Sequence, residues 1–287
     1  MSKTSSGWWS GFLGVVIFSG SLPATRIAVE GFDPAFLTLA RASIAGVLAL
    51  AILCIFRQKP PAKSDLASLS IVSLGVVIGF PLLTALALRE ITSAHSIVFI
   101  GLLPLATAIF AVLRGGERPR PAFWFFSCFG SILVAGFALL QDMAGSMVGD
   151  GLMVCAVIVC GLGYAEGAAL SRRLGGWQVI SWALVLSLPV MLPLAVFLAP
   201  HSFADITGAA WGGLFYVSLF SMLIGFIFWY RGLSLGGIAA VGQLQLLQPF
   251  FGLALAATLL GEPVSVAMVG VTLGVVACVA GARKFSK

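Results

Sequence analysis

The chain has 287 residues, 60% of them hydrophobic and only 9% charged, with a net charge of +6. Soluble domains carry about 25% charged residues, and 16 basic plus 10 acidic side chains are too few to cover a soluble surface of this size. Disordered chains and disulfide scaffolds are excluded too, being poor in apolar residues or rich in cysteine, which leaves an integral membrane protein.

A helix crosses the hydrocarbon layer with about 20 apolar residues. Hydropathy predicts ten such spans, at 8–28, 34–56, 66–88, 94–113, 122–140, 151–174, 179–198, 209–230, 239–260 and 265–281. They use about 200 residues and leave no room for a soluble domain. A β-barrel would alternate apolar and polar residues, whereas "LSIVSLGVVIGFPLLTALAL" is apolar on all sides. The first span lacks a cleavage site and is read as retained. Cys54, Cys128, Cys155, Cys160 and Cys278 all fall inside spans without a metal-ligand spacing. They read as small buried apolar residues.

Charge sets the orientation. One side of the predicted spans holds Lys3, then Arg57, Lys59 and Lys63, then Arg114, Arg118 and Arg120. It also holds Arg172, Arg173 and Arg231, and finally Arg283, Lys284 and Lys287. The other side carries mostly acids: Glu30, Asp33, Glu90, Asp142, Asp150, Asp205 and Glu262. The positive-inside rule puts both termini in the cytoplasm. The net charge is thus a topology signal and not a nucleic-acid footprint. The expected partners are a lipid bilayer and a small-molecule substrate; oligomeric state, monomer or homodimer, stays open.

The segments 94–117 and 239–262 align without gaps at an offset of 145 residues. Identities fall at Ala94/Ala239, Leu102/Leu247, Pro104/Pro249, Ala111/Ala256, Gly116/Gly261 and Glu117/Glu262. Chance among apolar residues explains the Ala and Leu pairs. It does not explain a mid-span proline 13 residues before a Gly-Glu pair, twice. "VAG" recurs at 134–136 and 279–281. Each repeat holds five spans, an odd number, so the second copy enters from the opposite face. The chain therefore divides into a first five-helix repeat, 1–143, and an inverted second one, 144–287. Inverted repeats are the architecture of secondary transporters, in which two halves rock about a central site.

With "ALALREITSAHSIVFIGLLPLATAIFAVLRGGE" and "YRGLSLGGIAAVGQLQLLQPFFGLALAATLLGE", each a proline followed by Gly-Glu and a final span, the chain resembles the drug/metabolite transporter superfamily. More narrowly it resembles the EamA-type exporters, and in size and layout the amino-acid exporters of the YddG type. Arg41 matches an arginine that such proteins often carry in the second span. The resemblance implies an all-α membrane protein in the bacterial inner (plasma) membrane that exports amino acids or other small metabolites. It also implies a central cavity lined by the first, third, fourth, sixth, eighth and ninth spans, with the fifth and tenth peripheral.

Polar groups inside spans each need a reason, since a central charge costs roughly 2.5–3.5 kcal/mol on insertion scales. Glu166 is the only acid well inside a span. It reads either as a site for a substrate ammonium or a proton, or as a carboxylate paired with a nearby base such as Arg172 or Arg173. Arg41 lies about 10 Å below the outer end of its span. It can attract a substrate carboxylate or, the preferred reading, pair with Glu30 or Asp33. Arg26 is shallower and reads as an interface residue. His95 opens the fourth span as a proton carrier, a substrate hydrogen bonder or simply a hydrated end. Gln243, Gln245 and Gln248 are unusual in an apolar span; Gln245 and Gln248 share a face, and Gln243 points away from Gln245. Their amides suit an ammonium, a carboxylate or an interhelical hydrogen bond, with Gln245 the first choice.

Phe80, Phe99 and Trp229, with Tyr164, are candidates for an aromatic cavity wall. Trp8, Trp9, Trp124, Trp177 and Trp211 sit at span ends, as in an aromatic belt. Pro23, Pro81, Pro104 and Pro249 kink their spans, which suits either gating or passive bending. Gly270 and Gly274 read as a helix-packing pair.

No Walker sequence, HExxH, GxSxG or TVGYG filter appears, so neither an enzyme nor a potassium-type channel is expected, and no cofactor or metal. Two other readings stay in view. One is a lipid-directed membrane enzyme, for which only Arg89, Glu90 and His95 come close. The other is different cargo within the same fold: a drug-like cation, which would favour Glu166, or a nucleotide sugar, which would need several cavity bases.

Overall fold

The protein is described by a computed structural model over residues 3–91, 96, 99–141, 146–260 and 266–286, without the side chains of 138–141, 253, 256–260 and 268. The described residues form helices and no strands. A chain this apolar has no water inside the bilayer for its backbone N–H and C=O groups, and helices satisfy them internally. In chain order these are α1 (Lys3–Val29), α2 (Pro34–Ile55) and α3 (Lys63–Glu90), then α4 (Leu103–Leu113) and α5 (Pro121–Gln141). They continue with α6 (Met147–Leu174), α7 (Gly176–Phe197) and α8 (Gly208–Gly236), then α9 (238–260) and α10 (Val266–Lys284). Six of the described helices, α1 to α3 and α6 to α8, are long and apolar enough to cross a membrane, and α4 and α5 contain shorter apolar stretches. The expected spans at 94–113 and 265–281 begin on residues outside the described ones.

Local chemistry sets the boundaries. Asp33 caps α2: its carboxylate accepts from the amides of Ala35 (2.8 Å) and Phe36 (3.4 Å), and Pro34 fills the first helical position. Ser146 caps α6 through the Gly149 amide, which starts that helix four residues before the expected span at 151. Gly175 and Gly237, both at φ +97°, end α6 and α8 in the left-handed region that a side chain would strain.

Several helices are interrupted. α1 breaks at Gly20 between Lys3–Ser19 and Ser21–Val29. α3 widens into a π-type stretch at Ser73–Gly79, and α8 does so at Val217–Ile224. α9 tightens into a 3₁₀ stretch at Gln243–Leu247. A fresh α-helical segment starts after each irregularity, and Pro81, Pro104 and Pro249 all take the second position of such a segment, with Pro23 in the third. That placement is where the missing amide hydrogen does least harm. These four prolines thus mark helix restarts, whereas Pro189 and Pro193 lie inside the continuous α7.

α1 packs most closely along α8, α2 along α7, α5 along α10, and α6 against both α3 and α4. The core joining them includes Val15, Phe18, Val76, Leu103, Met222 and Trp229. Leu50, Phe125, Ile132, Val190 and Leu273 point outward and are exposed. A periphery this apolar is what hydrocarbon contact requires and what water would penalise.

Candidate functional site

The helix interruptions surround a small cavity. Ser21 and Thr25 face it from the restarted end of α1, Phe80 and Thr84 from α3 beyond its wide turn, Ser221 from the wide turn of α8, and Gln248 from the restart of α9. Arg41 of α2, Tyr164 of α6 and Pro81 complete its polar and kinked lining, and Phe18, Phe226, Ile100 and Leu103 supply apolar wall. Its volume is about 40 Å³, room for a few waters. An occupant with a substantial apolar body requires the helices to separate. By helical rise, the cavity lies roughly 6–15 Å below the end where α1 and α3 finish and α2 begins.

Arg41 is the charged group of this lining and only 6% exposed. Its Nη2 donates to the Ser221 hydroxyl at 3.3 Å, and that hydroxyl also accepts from Ser21 at 2.8 Å. Its Nε has no partner. Asp33, one partner expected for it, instead caps α2 and sits 3.8 Å from Arg89, and among the described residues no carboxylate pairs with Arg41. The Thr84 hydroxyl is likewise unpartnered. The Gln248 amide donates to the Phe18 carbonyl at 3.3 Å, across the break in α1.

The opposite, arginine-rich end is pinned by ion pairs. Glu166 accepts from Arg114 Nε at 2.8 Å and from the Ser68 hydroxyl at 2.6 Å. The hydrogen bond to Glu166, followed by its charge, raises the Arg114 guanidinium above its ordinary pKa. Arg173 binds the buried carboxylate of Asp65. Glu117 accepts from Arg172 at 2.8 Å and from the backbone amides of Ile238 (2.7 Å) and Ala239 (2.8 Å), so one carboxylate joins the end of α4, the end of α6 and the N-terminus of α9.

The sequence candidates therefore separate. Arg41, Phe80, Tyr164, Gln248 and Pro81 meet in one cavity. Glu166 faces Arg114 instead, and Arg172 and Arg173, the bases first considered for it, have Glu117 and Asp65. Gln245 and Gln243 are fully buried without hydrogen bonds of normal geometry. Trp229 is also fully buried, its ring 5.4 Å from Tyr164 and 6.1 Å from Phe18, in an aromatic cluster beside the cavity. Phe99 lines a separate apolar groove with Leu102, Ile109 and Val154. Pro23 and Pro104 act through the restarts that place Thr25 and Leu103. Gly270 would meet nothing within 4 Å as an alanine. His95 lies outside the described residues, and the two others considered with it, Arg89 and Glu90, end α3, with Arg89 facing Asp33. Ser21, Thr25, Thr84 and Ser221 were not singled out from sequence, because hydroxyls are common in apolar helices, where they bond their own backbone.

This pairing makes Glu166→Gln a mild change. Arg114 is 47% exposed and can turn to water, so the expected loss is about 1 kcal/mol of stability. The pH profile of any flux should match wild type. A profile that flattens in Glu166→Gln would show that this carboxylate carries a proton.

The sequence pattern of the EamA-like transporter family matches the chain twice, over residues 5–140 and 147–283. The uncharacterized transporter YdeK of Bacillus subtilis (strain 168) is 69% identical over 287 residues, covering 100% of both chains. A probable terminal-alkyne amino-acid exporter of Streptantibioticus cattleyicolor is 25% identical over 278 residues, 95% of this chain and 92% of that one. An uncharacterized transporter of Archaeoglobus fulgidus is 24% identical over 83% of this chain and 84% of its own length. A solved crystal structure of 17% identity superposes with a TM-score of 0.79 over 98% of each chain, a likeness of fold. With two matches along its length and a close transporter relative over all of it, the chain belongs to the EamA-like transporter family, as an integral multi-pass membrane transporter and not an enzyme.

Proposed function

We propose that the protein is a secondary exporter of small metabolites, amino acids first among them, working by alternating access between two inverted five-helix halves, 1–143 and 144–287. The observation that carries this reading is the cavity built at helix interruptions in α1, α3, α8 and α9. Discontinuous helices around a central site are how secondary transporters bring polar groups into hydrocarbon. The repeat is supported by the wide turns at Ser73–Gly79 and Val217–Ile224, which nearly coincide at the offset of 145 that relates Pro104 to Pro249. The two family matches divide the chain at nearly the same place. Ten spans are supported by hydropathy, cytoplasmic termini by the positive-inside distribution, and the bacterial inner membrane by the family resemblance. On that orientation the ion pairs of Glu166, Asp65 and Glu117 seal the cytoplasmic face, and the cavity lies toward the outside. Amino-acid cargo is supported by the Streptantibioticus relative, a probable terminal-alkyne amino-acid exporter. A drug-like cation loses ground because Glu166 is engaged by Arg114 and lies away from the cavity.

The test is counterflow in proteoliposomes. Preloaded unlabelled amino acid should drive saturable uptake of the labelled one. No saturable exchange across a broad panel of amino acids and other small metabolites would overturn the proposal.

A further inference from the structure

We infer that Arg41 is the anchor for a carboxylate on the cargo, so that the cavity selects small carboxylates with an apolar body, amino acids among them, over amines and other cations. This rests on the transporter reading of the same cavity and names its chemistry.

A guanidinium keeps its charge at neutral pH, and a buried charge without a counter-ion is costly. Arg41 is in that position: buried, Nε unpartnered, with one long bond to a neutral hydroxyl. Four acids are engaged elsewhere, Asp33 at the cap of α2 and beside Arg89, Glu166 with Arg114, Glu117 with Arg172 and Asp65 with Arg173, and Glu30, the other acid expected for Arg41, is exposed and makes no ion pair with it among the described residues. A structural arginine in hydrocarbon would have its partner in place. This one has none among the described residues and lines a cavity.

The geometry suits an anion of modest charge. The planar fork of a guanidinium matches a carboxylate, donating from two nitrogens. The Thr84 hydroxyl, also unpartnered in the same lining, is a further donor. Phe80, Phe226 and Ile100 offer apolar contact for the rest of the molecule. A phosphorylated cargo calls for several bases, and this lining has one. A cation entering here would meet the field of Arg41 in a low-dielectric enclosure, where like charges repel strongly.

The experiment uses purified full-length protein and four probes of nearly one shape: L-phenylalanine, 3-phenylpropionate, 2-phenylethylamine and L-phenylalaninamide. Each is measured by thermal stabilisation and as a competitor of counterflow. The two carboxylates should stabilise the wild type and compete; the two amines should not. In Arg41→Met the carboxylates should bind roughly tenfold to hundredfold more weakly, while Arg41→Lys, which keeps the charge and loses the fork, should fall between. Because Arg41 has no ion pair to lose, Arg41→Met should melt no lower than wild type. If it fails to fold, the wild-type ranking of the four probes still decides. Amines ranking with the carboxylates, an unchanged ranking in Arg41→Met, or no binding by either carboxylate would each overturn the inference. A wild type that exchanges metabolites while failing these tests leaves the transporter reading intact. A wild type that exchanges nothing across the panel overturns that reading instead.

Discussion

Gly232→Ala should destabilise the protein markedly, although it adds only one methyl group. A Cβ at Gly232 would stand 2.6 Å from both the N and the Cα of Gly11 and 3.1 Å from the carbonyl oxygen of Gly7. All three are backbone atoms of α1, so no side chain can turn aside. The seam continues in both directions: a Cβ at Gly7 would meet the Gly236 nitrogen at 2.5 Å, and one at Gly14 the Trp229 backbone at 3.2 Å. α1 and α8 therefore approach at van der Waals distance along several turns, as small residues allow within membranes. Overpacking of this kind costs about 1–3 kcal/mol for small additions, and Gly232→Leu should leave little monodisperse protein after detergent extraction. Gly212, on the same helix, is the control, since nothing lies within 4 Å of its Cβ position. Gly212→Ala should be neutral or gain up to about 1 kcal/mol from helix propensity. Thermal unfolding followed by size-exclusion chromatography separates the outcomes. Equal melting temperatures for the two alanine variants would mean that α1 and α8 do not approach this closely in the membrane.

Removing the carboxylate of Glu117 should open the arginine-rich face. Glu117→Gln weakens three charge-assisted contacts at once, to Arg172 and to the amides of Ile238 and Ala239. Losing a helix cap alone costs about 0.5–2 kcal/mol, and about 1.4 kcal/mol shifts a two-state population tenfold. Thr107 is a suitable reporter: it is fully buried on α4, and a Cβ on Gly242 of α9 would lie 3.3 Å from its methyl carbon. With the five native cysteines replaced, Thr107→Cys should react slowly with maleimide, and about tenfold faster when Glu117→Gln is added. Equal rates would show that Glu117 caps α9 without holding α4, α6 and α9 together.

Much of this protein is readable before folding, because hydrocarbon imposes one rule on every span: apolar outside, helical throughout. Hydropathy places the start of the second span at Pro34, where α2 begins to the residue. The candidates in the cavity, Arg41, Phe80, Tyr164 and Gln248, stood out as polar or aromatic groups in apolar runs. Glu166 stood out equally, and its role turned on something sequence spacing does not carry. Arg114 is 52 residues away along the chain, and only the packing of α4 on α6 brings its guanidinium to the carboxylate. The prolines signalled kinks, whereas their position at restarted helices depends on the wide and tight turns before them. The hydroxyls of Thr84 and Ser221 gave no signal, since identical hydroxyls elsewhere bond their own helix, as Ser171 does to Gly167.

What composition and charge determined was membrane residence and helical class, because each is set by local polarity along the chain. What the tertiary structure decided was pairing. It gave Glu166, Glu117 and Asp65 their cations at one end and left Arg41 without an acid beside a cavity near the other. Which charges meet depends on contacts between distant helices, and a buried charge takes its meaning from the partner it has or lacks.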